Sequence, residues 1–471
     1  LADLVEGIAG VALHGDGDVA VGDVEHDSRS VRPGALYACI PGATADGHDF
    51  APDAVAGGAV ALLAERRLDL GVPVVVVPSV RRALGPVASR CHGDPSRSLE
   101  VVGVTGTNGK TTVAHLLAEV LAEAGRHPEV IGTLTGTRTT PEAPELQRSL
   151  ARARDAGVDA VVMEVSSHAL DQHRVDGTTY ACAVFTNLSV DHLDHHGTME
   201  AYFEAKARLF RPELARRAVV NLDDPYGRRL AESASVPTTG FSADDADDLV
   251  LAADHARFRW RGHAVRLGLS GRFNVANALA AATAAAELGI DDAVVAAGLG
   301  RPVRVPGRME RVDAGQPFTV LVDFAHTPDG LRAVLTAARE LVAPGGSVAV
   351  VFGCGGDRDP AKRPMMGEVA AHLADRTVVT ADNSRSEPTS AIIDAVLSGH
   401  RRGEPREAAV VEPDRRAAIR LAVAGARAGD VVVIAGKGHE ATQVVGDRVT
   451  AFDDREVART ELLALPGGPA T

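Results

Sequence analysis

Short runs of β-branched and other apolar residues recur along the chain, each followed by a stretch with helical spacing. Val101-Val102-Gly103-Val104-Thr105 passes through a glycine-rich segment into Val113, Leu116, Leu117, Val120 and Leu121, which share one helical face that stops at Gly125. The same alternation returns at residues 158–164 and 180–186, and again at 319–324, 347–352, 376–380 and 431–435. Runs that are apolar at successive positions belong to strands covered on both faces, and strands alternating with helices form parallel sheets. The pattern predicts an α/β protein with parallel sheets, whose ligands sit beyond the carboxyl ends of the strands.

Two breaks divide this pattern. His92-Gly93-Asp94-Pro95-Ser96-Arg97-Ser98 precedes the apolar run 99–104, and Arg301-Pro302-Val303-Arg304-Val305-Pro306-Gly307 follows an Ala-rich helical stretch over 277–288. Three domains are expected, at 1–98, 99–300 and 301–471, because 471 residues exceed what one core organises.

Composition narrows the partners. A formal charge of −14 and 3% aromatic residues argue against nucleic acid and anionic membrane surfaces, so a phosphate-bearing ligand must be met by local groups. There is no basic-then-apolar leader and no apolar run near 18 residues, so a cytoplasmic protein without membrane insertion is expected, and a monomer. Cys39, Cys91, Cys182 and Cys354 are far apart and read as free thiols.

Lysine use is the sharpest compositional signal. Only Lys110, Lys206, Lys362 and Lys437 occur, beside 45 arginines. Where arginine has taken almost every positive charge, the remaining lysines mark places that need a compact ammonium or an amine able to become neutral.

Gly106-Thr107-Asn108-Gly109-Lys110-Thr111-Thr112 joins a strand to a helix. Glycines let backbone N–H groups approach phosphates, the helix N-terminus favours the anion, Lys110 reaches the terminal phosphates and Thr111 suits Mg²⁺. The common spacing would put a further glycine at position 104, where Val stands. Glu164, at the end of the next apolar run, suits the same metal. Asn187-Leu188-Ser189-Val190-Asp191-His192-Leu193-Asp194-His195-His196 taken alone reads as a zinc site; beside a phosphate loop, His192 on Mg²⁺ is the better reading.

Gly-Thr-Asn-Gly-Lys-Thr-Thr at 106–112, Met-Glu-Val-Ser-Ser-His-Ala-Leu at 163–170 and Phe-Thr-Asn-Leu-Ser-Val-Asp-His-Leu-Asp at 185–194 resemble the Mur ligases, and the resemblance runs through all three blocks. It implies a UDP-binding first domain, a central P-loop-type ATPase domain and a C-terminal Rossmann-like domain. The implied chemistry is ATP-dependent: a substrate carboxylate takes the γ-phosphoryl group, and an amine then displaces phosphate to form an amide. Catalytic roles fall by resemblance on Lys110, Glu164, His192 and Lys206, with Lys206 carbamylated and ligating a second Mg²⁺. A neutral amine adds CO₂ and a guanidinium does not, so a lysine there is chemically sensible. Asn277, Arg308 and Asp323 correspond to adenine, phosphate and ribose contacts; Phe324 stands where the family usually has Tyr.

Within the family the resemblance is to members that add the third amino acid to a UDP-N-acetylmuramoyl dipeptide in peptidoglycan precursor synthesis. Ser28 corresponds to a uridine contact. Thr139, Thr140, Ser166, Gln172 and Arg174 correspond to positions holding the sugar peptide. Asp382-Asn383-Ser384-Arg385 resembles the Asp-Asn-Pro-Arg motif of members that add diaminopimelate, with Arg358, Gly436 and Glu440 completing the amino-acid set. An arginine fork binds the far carboxylate of diaminopimelate, which lysine lacks. Ser384 departs from proline and leaves open a relative joining a different amino acid. A folylpolyglutamate synthase shares the loop and the carbamate logic but has no comparable first block.

Overall fold

A computed structural model describes residues 1–42, 45–252 and 254–465. Its strands gather into three main sheets. The first takes strands from residues 12–76, in the order Ala12–His14, Val74–Val76, Ala61–Ala64, Ala35–Ala38, Asp23–Glu25; only the first pair is antiparallel. Helix Val80–Cys91, capped by Ser79, packs over it.

The central sheet is wholly parallel, in the order Thr238–Phe241, Ala218–Asn221, Cys182–Phe185, Glu100–Thr105, Ala160–Glu164, Pro128–Ile131. Its first strand in the chain lies in the middle, with later strands added on either side. The glycine-rich segment leaving that strand therefore sits at the topological switch point, where open α/β sheets bind ligands. Successive residues feed opposite cores: Val102 and Val104 face helices Lys110–Glu123 and Arg272–Glu287, while Val101 packs with Leu146, Val161, Met163 and Phe185 on the other side. Burial on both faces explains why these strands read as unbroken apolar runs.

One part of the central block departs from the expected parallel pattern. Asp247–Leu251, Ala256–Trp260 and His263–Leu267 form an antiparallel three-stranded sheet. Ala256–Trp260 alternates buried and exposed residues, one face reaching the core through Phe258 and Trp260. Arg261 and Gly262, both at positive φ, make the tight turn between the last two strands.

The third sheet runs Glu310–Arg311, Thr319–Asp323, Val431–Ala435, Val348–Phe352, Arg376–Val379, Val410–Val411, antiparallel only at its first pair. Asp323, Asp382 and Gly436 lie at or just past the carboxyl ends of its strands. Among the described residues no helix is long and apolar enough to cross a membrane.

Candidate active site

The glycine loop is fixed by its neighbours. A Cβ on Gly106, at φ 148°, would stand 1.9 Å from Thr186 Oγ1, and one on Gly109, at φ 90°, would stand 2.3 Å from Asn277 Oδ1, so neither position admits a side chain. Asn187 O accepts from Thr107 N at 2.8 Å, Asn187 Oδ1 accepts from Asn108 N at 2.9 Å, and Thr186 Oγ1 donates to Asn108 O at 2.6 Å. Lys110 Nζ donates to the Gly106 and Thr107 carbonyls at 2.9 and 3.0 Å, which holds its charge against the loop.

Around the loop the candidate ligands converge. Thr111 Oγ1 donates to Glu164 Oε2 at 3.0 Å, and Thr133 N and Oγ1 donate to the same carboxylate at 2.8 and 3.2 Å. From the third block Arg308 donates to Thr111 Oγ1 at 3.3 Å and lies over the Phe324 ring; its Nε is buried with no protein partner among the described residues. A buried unpaired guanidinium N–H beside a phosphate loop calls for an anionic ligand. Asp323 accepts from Met309 N and Ala325 N at 2.7 Å each, and burial raises its carboxyl above the usual range.

Lys206, on helix Met199–Ala207, is buried 4.7 Å over the Tyr202 ring, with Nζ donating to Gly106 O at 2.9 Å. Burial and then the Lys110 charge press its amine strongly toward neutrality, with Asp191 opposing. His192 takes a left-handed backbone at φ 56°. Burial, reinforced by His168, Lys206 and Lys110 against Asp191, brings its imidazole down to about 3, so it is neutral and able to ligate. The His168 ring lies 4.8, 4.2 and 5.5 Å from those of His192, His195 and His196, but among the described residues no three His, Cys, Asp or Glu side chains are arranged to hold a metal, so the zinc reading of residues 187–196 gains no support.

Asp191 links two blocks. Its carboxylate is buried 3.5 Å from Lys362 Nζ and 3.8 Å from His326 Nε2, both of the third block, and 3.4 Å from His192 Nε2. Burial opposes its charge, yet these neighbours hold its carboxyl below the usual range.

Two cavities meet at Asn108, Gly109 and Arg308. The first, about 490 Å³, is lined by Thr112, Asn277, Asp323, Phe273, Ala280 and Val334 among others, an apolar slot with polar edges. The second, about 330 Å³, is lined by Thr107, Lys110, Thr111, Glu164 and His192 on one side and by Arg358, Asp382, Asn383, Arg385, Gly436 and Glu440 on the other. Thr139 and Ser166 also line it, and Thr140, just behind them, donates to Glu164 O at 2.9 Å and accepts from Ser166 N at 3.0 Å.

The remaining candidates lie apart. Arg174 is held by Gln172 Oε1 at 2.7 Å and by Glu142 at 3.0 Å, outside the cavity lining, although it also donates to Thr140 O. Ser28 sits in a one-turn helix of the first block beside Asp27, whose carboxylate pairs with the exposed Arg29. Ser384 is fully buried, its hydroxyl 2.7 Å from that of Thr389, and its N–H donates no hydrogen bond within the described protein. Sequence reasoning gave no role to Asp191, His326 or Thr133; Lys362 and Lys437 were marked by the scarcity of lysine, without an assignment.

A glycine phosphate loop at a switch point, facing a second sheet's carboxyl ends across a shared cavity, defines a nucleotide-dependent enzyme. The chain matches the Mur ligase middle domain over residues 104–285, the Mur ligase glutamate ligase domain over 307–438 and the Mur ligase family catalytic domain over 21–92. The UDP-N-acetylmuramoyl-L-alanyl-D-glutamate–2,6-diaminopimelate ligase of Syntrophomonas wolfei is 44% identical, with 98% of this chain and 99% of that protein covered. The Streptomyces avermitilis protein of the same name is 45% identical over 96% and 94%. A solved structure of a ligase of that name is 34% identical with a TM-score of 0.66, covering 94% of this chain and 95% of its own. The MurF ligase of Thermotoga maritima in complex with ADP shares the fold at 22% identity and a TM-score of 0.64, over 96% and 98%. The chain belongs to the Mur ligase family of ATP-dependent ligases.

Proposed function

We propose that this chain joins diaminopimelate to UDP-N-acetylmuramoyl-L-alanyl-D-glutamate at the expense of ATP, working as three domains at 1–98, 99–300 and 301–471. The observation that carries the reading is the single cavity of about 330 Å³, in which the phosphate loop faces the amino-acid set Arg358, Asp382, Asn383, Arg385, Gly436 and Glu440. An acyl phosphate formed over Lys110 would stand beside the incoming amine without crossing solvent.

The adenine and ribose fit the larger cavity, against Asn277 and Asp323, and the phosphates run over residues 106–112 toward Lys110 and Arg308. The dipeptide's terminal carboxylate enters past Thr139 and Ser166, with its uridine end toward Ser28. A carboxylate oxygen attacks the γ-phosphorus and ADP leaves; the amine nitrogen then attacks the acyl carbon and inorganic phosphate leaves. Both steps gather negative charge between the loop and Arg308, so preorganised donors there supply the main rate term. Glu440 suits the ammonium of diaminopimelate and Arg385 its far carboxylate.

Thr111 and Glu164 offer hard oxygen donors 3.0 Å apart beside the loop, a set that fits Mg²⁺, which prefers one or two protein oxygens plus substrate phosphates. Bound there with His192, Mg²⁺ supplies charge neutralisation to the phosphates. A neutral, buried Lys206 amine is suited to add CO₂, forming an N–C bond and releasing a proton, to become an anionic carbamate.

The test is phosphate release with UDP-N-acetylmuramoyl-L-alanyl-D-glutamate, ATP and Mg²⁺, comparing meso-diaminopimelate, LL-diaminopimelate and L-lysine, with product mass measured. Turnover with a diaminopimelate isomer and little with lysine is expected. Release with lysine alone, or with none of the three, would sink the proposal.

A further inference from the structure

Lys437 is fully buried and does not line the cavity, yet it touches the groups that do. Its Nζ donates to Asn383 Oδ1 at 3.2 Å, to Glu440 Oε2 at 3.2 Å and to Thr442 O at 2.5 Å, with Asp382 Oδ1 4.0 Å away. An ammonium has three N–H groups, and all three are engaged. Lys437 therefore has no proton or contact to offer a substrate. Its effect passes through Asn383 and Glu440.

What it does to them is specific. Asn383 Oδ1 accepts from Lys437 and also from Val444 N at 2.9 Å, which turns the Asn383 amide so that Nδ2 donates to Glu440 Oε2 at 2.7 Å. Glu440 Oε2 is thus taken twice, and Oε1 has no partner among the described residues and is left for the cavity. The ammonium also offsets charge from Asp382 and Glu440, two of the carboxylates that line the cavity.

We infer that Lys437 is a positioning residue that sets amino-acid selectivity: it aims one Glu440 oxygen at the substrate and keeps the pocket from excess negative charge. The inference rests on the proposed reaction, and deepens it. Diaminopimelate carries two carboxylates and no net charge at neutral pH, whereas lysine carries one carboxylate and a net positive charge. A pocket stripped of the Lys437 charge disfavours the second carboxylate and tolerates the cation. Arginine cannot substitute, because a planar fork does not fit a fully buried point with three acceptors arranged around one nitrogen.

The experiment compares the unmodified chain with Lys437→Met, Lys437→Gln and Lys437→Arg in steady-state phosphate release. Lys437→Met should raise the KM for diaminopimelate by about 10- to 100-fold, the range for hydrogen bonds to a charged group. The KM for ATP should stay nearly constant, and the ratio of kcat/KM for diaminopimelate over lysine should fall. Lys437→Arg should not restore it. An unchanged diaminopimelate KM, or equal losses for ATP and the amino acid, would overturn the inference. Lys437→Gln is one atom shorter but keeps an N–H₂ donor without the charge, so it tests the charge if Lys437→Met fails to fold. Calorimetric titration of diaminopimelate into the unmodified chain and Lys437→Gln separates the two readings. Weaker binding by the variant without turnover in either would count against the reaction and not against Lys437; equal binding would overturn Lys437 alone.

Discussion

Replacing Lys362 with Met removes the closest formal positive charge facing Asp191 across the junction of the second and third blocks. The two groups stand 3.5 Å apart and both are buried. At an effective dielectric of about 20 their attraction is roughly 5 kcal/mol. His192 and His326 also face Asp191, but burial brings them to about 3 and about 4, so at pH 7.5 neither replaces the lost charge. Leaving one member of a buried pair unpaired costs about 3–5 kcal/mol, part of which is relieved when Asp191 regains water as the junction loosens. A net penalty of about 2–3 kcal/mol on bringing the blocks together corresponds to roughly 30- to 150-fold in affinity for a ligand that needs both. ATP is such a ligand in the proposed site, with Lys110 and Thr111 on one side and Arg308 and Asp323 on the other. The assay is calorimetric titration of a slowly hydrolysed ATP analogue into the unmodified chain, Lys362→Met, Asp191→Asn and the double variant. Each single variant should bind weakly and the double variant should recover by at least about 1.5 kcal/mol, well beyond the roughly 0.5 kcal/mol scatter of independent sites. Additive losses, or an undiminished Lys362→Met, would refute the clasp.

Three further outcomes follow from local geometry. Gly109→Ala puts a methyl group 2.3 Å from Asn277 Oδ1 at a positive φ, so nucleotide affinity should fall at least about 10-fold and thermal unfolding should drop by a few degrees; unchanged affinity would contradict the tight fit. Ser384→Pro forfeits no N–H hydrogen bond within the described protein, so the diaminopimelate KM should stay within about 3-fold; a larger rise would show that the Ser384–Thr389 contact shapes the loop. Burial opposes ionisation of Glu25, but hydrogen bonds from His26 and Asp27 outweigh it and hold its carboxyl at about 2 instead of 4.5. The depressed value means that its contribution, about 2–3 kcal/mol, is complete above pH 4.5 and is lost as pH falls through about 2. Urea midpoints for Glu25→Gln and the parent should therefore differ most near neutrality and converge below pH 4.5; a gap that widens in acid would reverse the sign.

The parts of this molecule that were legible in the sequence share a physical cause. Strands buried on both faces are apolar at nearly every position, so residues 101–104, 160–163 and 431–435 announce themselves, and the loops leaving them carry the chemistry. The Ala256–Trp260 and His263–Leu267 hairpin was missed because only one of its faces is buried; its signal was alternation around Arg261-Gly262, which an eye set for apolar runs passes over. Asp191 and Lys362 lie 171 residues apart, and no local pattern states that two blocks will close on that pair. The helix expected over 277–288 begins earlier, at Arg272, since Gly271 at φ 90° breaks the chain before it. Arg174 is suited by its charge to a substrate carboxylate, and in this structure it pairs with Glu142, a partner 32 positions away that no local pattern announces.

The burial of the lysines has an experimental corollary. Lys206, Lys362 and Lys437 are inside the protein and Lys110 is half-buried against its own loop, so the folded surface presents no well-exposed lysine amine. Amine-directed esters and a lysine-specific protease should find almost nothing on the closed chain beyond its α-amino group. Any acylation or cleavage at these four positions then reports opening at the place where it occurs. The molecule carries its own footprinting probes, Lys110 in the glycine loop, Lys206 against the Gly106 carbonyl, Lys362 beside Asp191 and Lys437 beside Asn383 and Glu440.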